Sequence, residues 1–504
     1  MSSVFPFAPA ELQTAIGAAF IPDSLVIYDD AAFWYEATSA GGRLAVLAGA
    51  DHPALARFHG ESQEFKQGYH LKYCPPDGKN SQALRASLPW LQPTPLGLDA
   101  SAGFGDRLGL ATAGHVHVLR RVLSESPDKT LRPIFAQQSM RENERTHRTP
   151  EEVLNDATCG AFQAGWRDRV GADADHLKTT ADVDVCAAAG YSFYTIDPGA
   201  FVDSAADEAD PASIQQKVEA LPWSLLESSP ADLARRYIGK TVDLETQQIT
   251  LDEAAVLRAA AKYSRAVLHV VTLYRHLAGK HIPFELEPSV DETETPTTPA
   301  EHIFIASELR RLGVQWVSMA PRYVGRFEKG IDYIGDLATL RRDLQTHAEI
   351  ARALGPYKLS LHSGSDKFSV YALISEAARG MTHLKTAGTS YVEALRVVAQ
   401  FNAALFRNLL AFACERYPTD RASYHVSAEV NRVPDMRAVP DAALPALLDD
   451  LNARQILHVT YGSVLAQFGA PLRETLQAHL EAYNVILDQH FYRHLRPFVE
   501  STRT

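Results

Sequence analysis

The feature that most limits the fold is a repeated alternation of short strand-like runs and longer helical patterns between residues 100 and 410. Strands that alternate with helices form parallel βαβ units. The eight runs are FGDRLGLATAGH, RPIFAQQSM, RVGADADH, YSFYTIDPG, IPFELEPSVDE, VQWVSMAPRY, YKLSLHSGSD and HLKTAG. Eight units over about 300 residues predict an α/β fold of the (β/α)₈ TIM-barrel type. An open doubly wound sheet is the alternative, but no GxGxxG spacing follows the first run.

Flanking patterns divide the chain into three regions. AAVLRAAAKYSRAVLHVVTLYRHLAG has apolar residues at helical spacing, and TPAEHIFIASELRRLG begins after prolines and ends at Gly313. SLVIYDDAAFWYEAT and GRLAVLAG predict paired strands, so we expect an N-terminal α+β extension over residues 1–95. The barrel is expected over 96–410. Residues 411–504 are expected to form a helical C-terminal region packed on it.

Composition excludes several classes of function. The 504 residues are 46% hydrophobic and 22% charged, as in soluble globular proteins. The net charge of −12, without a basic run, argues against nucleic acid or a membrane surface as the main partner. The four cysteines are scattered, and neither a signal peptide nor a long apolar stretch is recognisable. These features predict a reducing, cytoplasmic location.

Polar residues concentrate at the predicted C-terminal ends of the strands, where barrel enzymes carry their chemistry. Nearly every strand contributes hydrogen-bonding or titratable groups, which predicts a ligand with many hydroxyl groups, such as a sugar. The residues singled out as substrate-binding or catalytic are Gln137, Asp175, Lys178, Glu285, Glu287, Arg322, Lys367 and Lys385.

Two histidines predict a metal site. His176 and His362 end non-adjacent strands, and Glu287 would lie between them. Two imidazoles and a carboxylate with open positions suit a divalent metal acting as a Lewis acid. His302, which follows the fifth strand, is predicted as a third ligand. With 19 histidines in the chain, the alternative for each is an ordinary loop or core position.

Three acids are candidates for proton transfer. Asp175, beside His176, is predicted as a general base, with a helix N-terminal acid as the alternative. The period of a strand puts Glu285 and Glu287 on one face. A barrel interior does not bury two unpaired carboxylates, so at least one should meet a metal, a cation or substrate. Glu287 is nearer the mouth and is predicted as the proton donor.

The string HLKT occurs twice and brings Lys178 and Lys385 to predicted strand ends. These lysines could hold a carboxylate, one could form a Schiff base with a ketone, or both could be solvated. HSGSDKF adds backbone N–H groups and Lys367 in a turn that favours anions, although a plain connection is an equal alternative.

The motifs GADADHLKT, VDETETPTTPAEH, KLSLHSGSDKFSVY and HLKTAGTSYVEALRVVA resemble those of the tagaturonate epimerase family. The resemblance implies a metal-dependent barrel that interconverts D-tagaturonate and D-fructuronate. It implies that Asp175 accepts a proton, that His176 and His362 bind the metal, and that a glutamate of strand five donates a proton. We place that glutamate at Glu287, with Glu285 as the second choice; His383 is the second choice for the third ligand.

Several alternatives stay open. The substrate could be a neutral ketose, as in a fructose/tagatose 4-epimerase, or the protein could be a class II-like aldolase or lyase, or a sugar-acid binding protein. Zn, Mn, Ni and Co all accept such ligands. A retro-aldol route is favoured because the inverted carbon lies β to the ketone. To select a sugar acid over a neutral ketose, the site needs a cation that faces the acid group. The candidates are Lys178, Lys385, Arg322 and Lys367. A homo-oligomer is compatible with the sequence.

Overall fold

The computed structural model describes residues 5–16, 20–37 and 42–500. It therefore leaves residues 1–4 and 501–504, at the ends of the predicted outer regions, outside the description. Near the N-terminus, five strands form an antiparallel sheet of order β1-β2-β3-β5-β4. They are β1 (Val26–Tyr28), β2 (Ala31–Glu36), β3 (Arg43–Gly49), β4 (Glu61–Glu64) and β5 (Tyr69–Cys74), with helices α1 (Pro9–Ile16), α2 (Pro53–Arg57) and α3 (Gly78–Ser87).

Strand β2 shows that the antiparallel sheet packs against a hydrophobic core on each of its two faces. All six of its residues are buried, because alternate side chains enter different cores. Phe33 and Tyr35 belong to the main core, whereas Ala32 and Trp34 pack with Phe5 and other N-terminal residues. The predicted pairing of SLVIYDDAAFWYEAT with GRLAVLAG is confirmed by the antiparallel β2–β3 pair; Thr38, at the end of the first run, lies outside the described residues.

Eight parallel strands form the barrel that the alternation predicts. Their order is the order of the chain, and Ser289 and Ala320 bridge the fifth and sixth strands to close the ring. A hairpin, β10 with β11, is inserted before the fifth strand. The strands are β6 (Ser101–Gly103), β7 (Arg132–Ser139), β8 (Gly171–Leu177), β9 (Phe193–Ile196), β10 (Lys240–Asp243), β11 (Gln248–Leu251), β12 (Glu285–Pro288), β13 (Ser318–Met319), β14 (Lys358–Leu361) and β15 (Thr382–Lys385).

The first barrel strand is the one whose predicted position was wrong. It is β6, which precedes the predicted run FGDRLGLATAGH. That run forms a turn in which Asp106 accepts hydrogen bonds from the backbone N–H groups of Leu108, Gly109 and Ala111. Such a side-chain cap satisfies donors that a strand would have paired with its neighbours.

Helices cover the outside of the ring. At the start of α11, Thr298 and Glu301 form a capping box, and the helix begins with Pro299. Gly313, just after the helix, takes a positive φ, as predicted. The helices of this region are α4 (Thr112–Glu125), α5 (Met140–Thr146), α6 (Pro150–Gln163), α7 (Thr180–Ala189), α8 (Pro211–Glu219), α9 (Pro230–Tyr237), α10 (Glu253–Ala278), α11 (Pro299–Arg311), α12 (Leu337–Leu354), α13 (Tyr371–Ala377) and α14 (Thr389–Phe401).

The C-terminal part is helical, as predicted. It comprises α15 (Ala403–Asp420), α16 (Leu451–Val459), α17 (Tyr461–Ala478) and α18 (Leu480–Glu500). The last of these packs against α4, α13 and α14, and α16 approaches the C-terminal rim of the barrel. Within residues 5–16, 20–37 and 42–500, seven 3₁₀ helices complete the secondary structure: Pro22–Ser24, Pro89–Leu91, Gly199–Phe201, Ser204–Ala206, Arg421–Ser423, Val430–Arg432 and Asp441–Asp449. Of the helices in the described ranges, none has the length and hydropathy needed to cross a lipid bilayer.

Candidate active site

The C-terminal ends of the barrel strands surround a buried polar pocket, which we call the inner pocket. Its walls include Gln137, Asp175, His176, Lys329, His362 and Lys385. A second cavity, the outer pocket, adjoins it above β12 and β13 and includes Asp291 and Arg322. The two pockets share His362, Ser363, Lys329 and Tyr424. The predicted clustering of polar side chains at this rim is therefore observed.

An irregularity at the end of β8 aims two neighbouring side chains at the inner pocket. In a regular strand Asp175 and His176 would point to opposite faces. Here the pairing of β8 with β9 shifts register between Ala174 and Leu177. His176 has φ +53°, a left-handed conformation that is uncommon outside glycine and is concentrated at functional sites. The two side chains consequently lie together, with 2.8 Å between Nδ1 of His176 and Oδ1 of Asp175.

Lys385 lies at the centre of the charged groups. Its Nζ is 2.9 Å from Asp173, 2.7 Å from Asp175 and 3.0 Å from Glu287. Burial alone would lower the pKa of Lys385, but the three carboxylates outweigh burial and raise the pKa above its ordinary value. The side chain is thus held as an ammonium ion, whereas a Schiff base requires the neutral amine.

The two predicted metal-binding imidazoles meet at one rim. The ring centroids of His176 and His362 are 5.1 Å apart. His362 is also close to two acids, with Nε2 2.7 Å from Glu287 and Nδ1 3.0 Å from Asp291. Asp291 Oδ1 lies 3.5 Å from Nε2 of His176. Asp291 thus links the two histidines, a contact that sequence reasoning did not single out.

Negative charge dominates this cluster. Burial would raise the pKa values of Asp175, Glu287 and Asp291, yet neighbouring histidines, joined at Asp175 and Glu287 by Lys385, hold all three pKa values well below normal. Burial would lower the pKa of His176 and His362, and the acids raise both. The acids therefore need positive charge beyond that of Lys385, which the two imidazoles supply when protonated and which a bound cation would supply in their place.

A divalent cation fits this requirement. Ligand atoms of Asp175, His176 and His362 all lie within 4.8 Å of one another. Nε2 of His176 is buried and forms no hydrogen bond with any described residue, so it is available as a ligand. Two imidazole nitrogens with carboxylate oxygen are donors that Zn, Mn, Ni and Co accept.

The structure corrects the predicted third ligand, His302. This residue lies in α11 and is fully buried outside the pocket. Its Nδ1 is 2.8 Å from His347 and its Nε2 is 2.8 Å from the Tyr357 hydroxyl, so the ring is held in the core, away from the other predicted ligands. His383, the second choice, lies deeper in the barrel with Nδ1 2.9 Å from Ser101 Oγ. Asp291 Oδ1 lies closer to the two other predicted ligands, 3.0 Å from His362 Nδ1 and 3.5 Å from His176 Nε2.

Three other predicted residues are also placed away from the pocket. Glu285 lies towards the opposite end of β12, where its carboxylate accepts a hydrogen bond from the Gly97 N–H; it is therefore not a fallback proton donor. The Lys178 side chain is 59% exposed and pairs with Asp197 at 3.2 Å. Lys367 is buried, and its Nζ donates to backbone carbonyl groups.

The remaining predicted residues do face the pockets. Gln137 donates from Nε2 to Asp175 Oδ2 at 2.9 Å and so fixes the orientation of that carboxylate. Arg322 lies in the outer pocket and donates to the Asp291 carbonyl oxygen at 3.2 Å.

A second wall of the inner pocket contains Arg107 and Lys329, which the sequence did not single out, and His458, for which the sequence left open whether it reaches the site or only packs. Arg107 pairs with Glu142 at 2.5 Å and stacks on Tyr461. His458 comes from α16, and Lys329 from the loop after β13. Correct placement of the first strand would have put Arg107 just beyond a strand end. No local pattern marks His458 or Lys329, because packing of distant segments brings them to the rim.

The fold and the site together define a barrel enzyme with a charged pocket suited to a small polar molecule. Comparison with known proteins gives the family. The model of the tagaturonate epimerase family matches residues 22–498. A tagaturonate/fructuronate epimerase from Thermotoga maritima is 42% identical over 456 residues, covering 90% of this chain and 92% of that protein. The chain belongs to the tagaturonate epimerase family.

Solved structures agree with this assignment. The native crystal structure of a fructuronate-tagaturonate epimerase from Cohnella laeviribosi superimposes with a TM-score of 0.88 at 34% identity, covering 97% of this chain and 98% of that one. A glycerol complex of that enzyme gives the same TM-score and identity, covering 96% and 97% of the two chains. The likeness therefore extends over the N-terminal sheet and the C-terminal helices as well as the barrel.

Proposed function

We propose that this protein is an epimerase that interconverts D-tagaturonate and D-fructuronate with a bound divalent metal cation. The main support is the cluster of Asp175, His176 and His362, whose ligand atoms lie within 4.8 Å of one another beside an open pocket. The similarity to epimerases across 90% of the chain supports the substrate. His176 and His362, with Asp291, would hold the metal, which leaves Asp175 for proton transfer.

The chemistry must invert a carbon β to the ketone, which enolisation cannot reach. A retro-aldol route removes the proton from the hydroxyl on that carbon and breaks the adjacent carbon–carbon bond, which leaves an aldehyde and an enediolate. Rotation of the aldehyde and formation of the same bond on its other face invert the centre, and the alkoxide regains a proton. A bound metal would supply electrostatic stabilisation of negative charge on oxygen.

The residues around Lys385 suit the two proton transfers. Asp175 is ionised, is aligned by Gln137, and is proposed to accept the hydroxyl proton on Oδ1. Glu287 is proposed to return a proton. The Lys385 ammonium lies 2.7 Å from Asp175 and 3.0 Å from Glu287, so it can pass a proton between the two carboxylates.

Conversion assays test the proposal directly. The purified protein is analysed for bound metal, incubated with tagaturonate, and its products are separated by chromatography. We expect fructuronate to form, activity to disappear with a chelator, and activity to return with one of Zn, Mn, Ni or Co. Absence of conversion by the metal-loaded protein would refute the function.

A trapping assay tests the route separately. An aldehyde added in excess should capture the three-carbon enediolate fragment and yield a new ketose. Retention of activity without any trapped product, together with loss of label from the inverted C–H bond, would exclude the retro-aldol route while leaving the epimerase function intact.

A further inference from the structure

The four lysine and arginine residues predicted to hold a substrate carboxylate have other partners. Lys178 and Lys367 lie outside the inner pocket, Lys385 is surrounded by three acids, and Arg322 binds a carbonyl group in the outer pocket. Two further cations that line the inner pocket are also paired: Arg107 with Glu142 at 2.5 Å, and Arg141 with Glu292 at 2.9 Å.

Lys329 differs from these cations. Its Nζ donates to Ser363 Oγ at 2.7 Å, and within the described chain it forms no ion pair with a carboxylate. An ammonium group has three donors, so most of its hydrogen-bonding capacity remains for a ligand. Lys329 lines both pockets, on the side of the rim that also carries His362.

The backbone around Lys329 is fixed by side-chain hydrogen bonds to four consecutive carbonyl groups. Each carbonyl group from residue 328 to residue 331 accepts a hydrogen bond from a distant side chain. Lys367 Nζ donates to Glu328 at 2.8 Å and to Ile331 at 2.5 Å. From α16, Gln455 donates to Lys329 at 3.2 Å and Arg454 to Gly330 at 2.9 Å. Because this segment is fixed in this way, its backbone has little conformational entropy left to lose on binding.

His458 adds a neutral polar group beside this lysine. A Cβ atom at Gly330 would lie 2.9 Å from Cδ2 of His458, so glycine is needed for the ring to pack there. Nε2 of His458 is buried and has no hydrogen-bond partner in the described ranges. Burial, followed by Arg107 and Lys329, lowers the pKa of His458 well below normal, so the ring is neutral.

We propose that Lys329 binds the carboxylate of the substrate and selects a sugar acid over a neutral ketose, with His458 as a neighbouring hydrogen-bonding group. This inference rests on the proposed epimerase function. It assigns the acid end of the substrate to the part of the second wall that lies beside Ser363, on the side of the rim that carries His362. An ion pair in this half-buried position is screened less than one on the surface.

The test compares Lys329→Met, Lys329→Arg and Lys129→Met in the metal-loaded protein. Lys129→Met is the matched control, because it makes the same charge change in the loop before β7, at the opposite end of the barrel. For Lys329→Met we expect KM for tagaturonate to rise about 10- to 100-fold, as for loss of a charged hydrogen bond, with a much smaller change in kcat. Lys329→Arg should recover a large part of the loss.

Two further readings separate recognition from a structural role. In the wild type, added salt should raise KM for tagaturonate, and Lys329→Met should weaken this dependence. The melting temperature of Lys329→Met should match that of the wild type, since this substitution removes no buried ion pair. An unchanged KM in Lys329→Met would overturn the role of Lys329. So would a fall in kcat as large as the rise in KM, if Lys329→Arg did not recover it. Failure of the wild type to convert tagaturonate would instead overturn the proposed function.

Discussion

Two groups of one aspartate and two histidines occur in the described chain, and they differ in what their nitrogen atoms already bind. Asp175, His176 and His362 form one group, and Asp366, His490 and His494 form the other. In both, the potential ligand atoms lie within 4.8 Å of one another. The first group lines the inner pocket, and its His176 Nε2 has no hydrogen bond to a described residue.

The second group is satisfied without a metal. Arg454 Nη2 lies 2.7 Å from Asp366 and His490 Nε2 lies 2.6 Å from it. The Asp366 N–H donates to Nε2 of His494 at 3.0 Å, and Nδ1 of His494 is 3.1 Å from the His490 carbonyl oxygen. This network joins α18 and α16 to the loop that follows β14. Short distances between potential ligand atoms are therefore not enough to identify a metal site. An imidazole nitrogen that forms no hydrogen bond within the described ranges and lies beside a pocket is the feature that distinguishes the first group.

The largest effect expected is loss of turnover in Asp175→Asn. This change keeps the size of the side chain and removes the proposed proton acceptor, so kcat should fall about 10²- to 10⁴-fold, as for removal of a general base. The measurement is steady-state conversion of tagaturonate at saturating metal. Turnover within a factor of two of the wild type would remove Asp175 from the mechanism.

Metal content separates the two groups directly. His362→Gln should lower the bound metal per chain and its affinity, because it removes an imidazole ligand. The matched change His490→Gln should leave the metal content as in the wild type. Elemental analysis after dialysis measures both. Equal losses in the two variants would mean that the contrast between the groups is wrong.

Removal of Arg454 should destabilise the fold. Arg454→Met leaves Asp366 buried without its guanidinium partner and removes one of the two arginines that pair with Glu393, and breaking a buried pair costs about 3–5 kcal/mol. Chemical unfolding measures the difference. The control is Arg437→Met, which removes an exposed pair with Asp435 and should not shift the midpoint.

The pH dependence of stability should show a smaller effect of the same network. Burial would raise the pKa of Asp366, but Arg454 and His490 hold the pKa well below normal. A depressed folded pKa adds stability above the unfolded value of about 3.9, and that stability is lost as pH falls towards the folded value. Between pH 5 and 3, the free energy of unfolding should therefore fall less steeply with decreasing pH in Asp366→Asn than in the wild type. The two slopes should differ by up to about 1.4 kcal/mol per pH unit. Identical slopes would contradict this assignment.

Local sequence patterns were sufficient for the barrel and for one half of its site. Asp175, His176, Glu287 and His362 directly end or follow strands, and parallel strands bring their ends to one rim. The same reasoning misplaced the first strand, because β6 has only three residues and the Asp106 turn follows it. Short buried strands carry little periodicity for a pattern to reveal.

The rest of the site depends on contacts between distant segments. His302 follows a strand end in sequence, yet helix α11 directs its ring into the core against His347 and Tyr357. Lys329 and His458 lie in a loop and a C-terminal helix, and neither has a neighbouring motif. Which lysine is neutralised by an acid and which is left for a ligand is set by tertiary packing.

The support that α16 gives to the segment from residue 328 to residue 331 has a consequence for how this enzyme could diversify. Gln455 and Arg454 reach that segment from a helix that lies after the last barrel strand. From the proposed role of Lys329, we expect substitutions in the C-terminal helices to change substrate preference while the eight strands and their acids stay untouched. Grafting this helix and its partner loop between relatives offers a route to altered sugar selectivity without redesign of the catalytic groups.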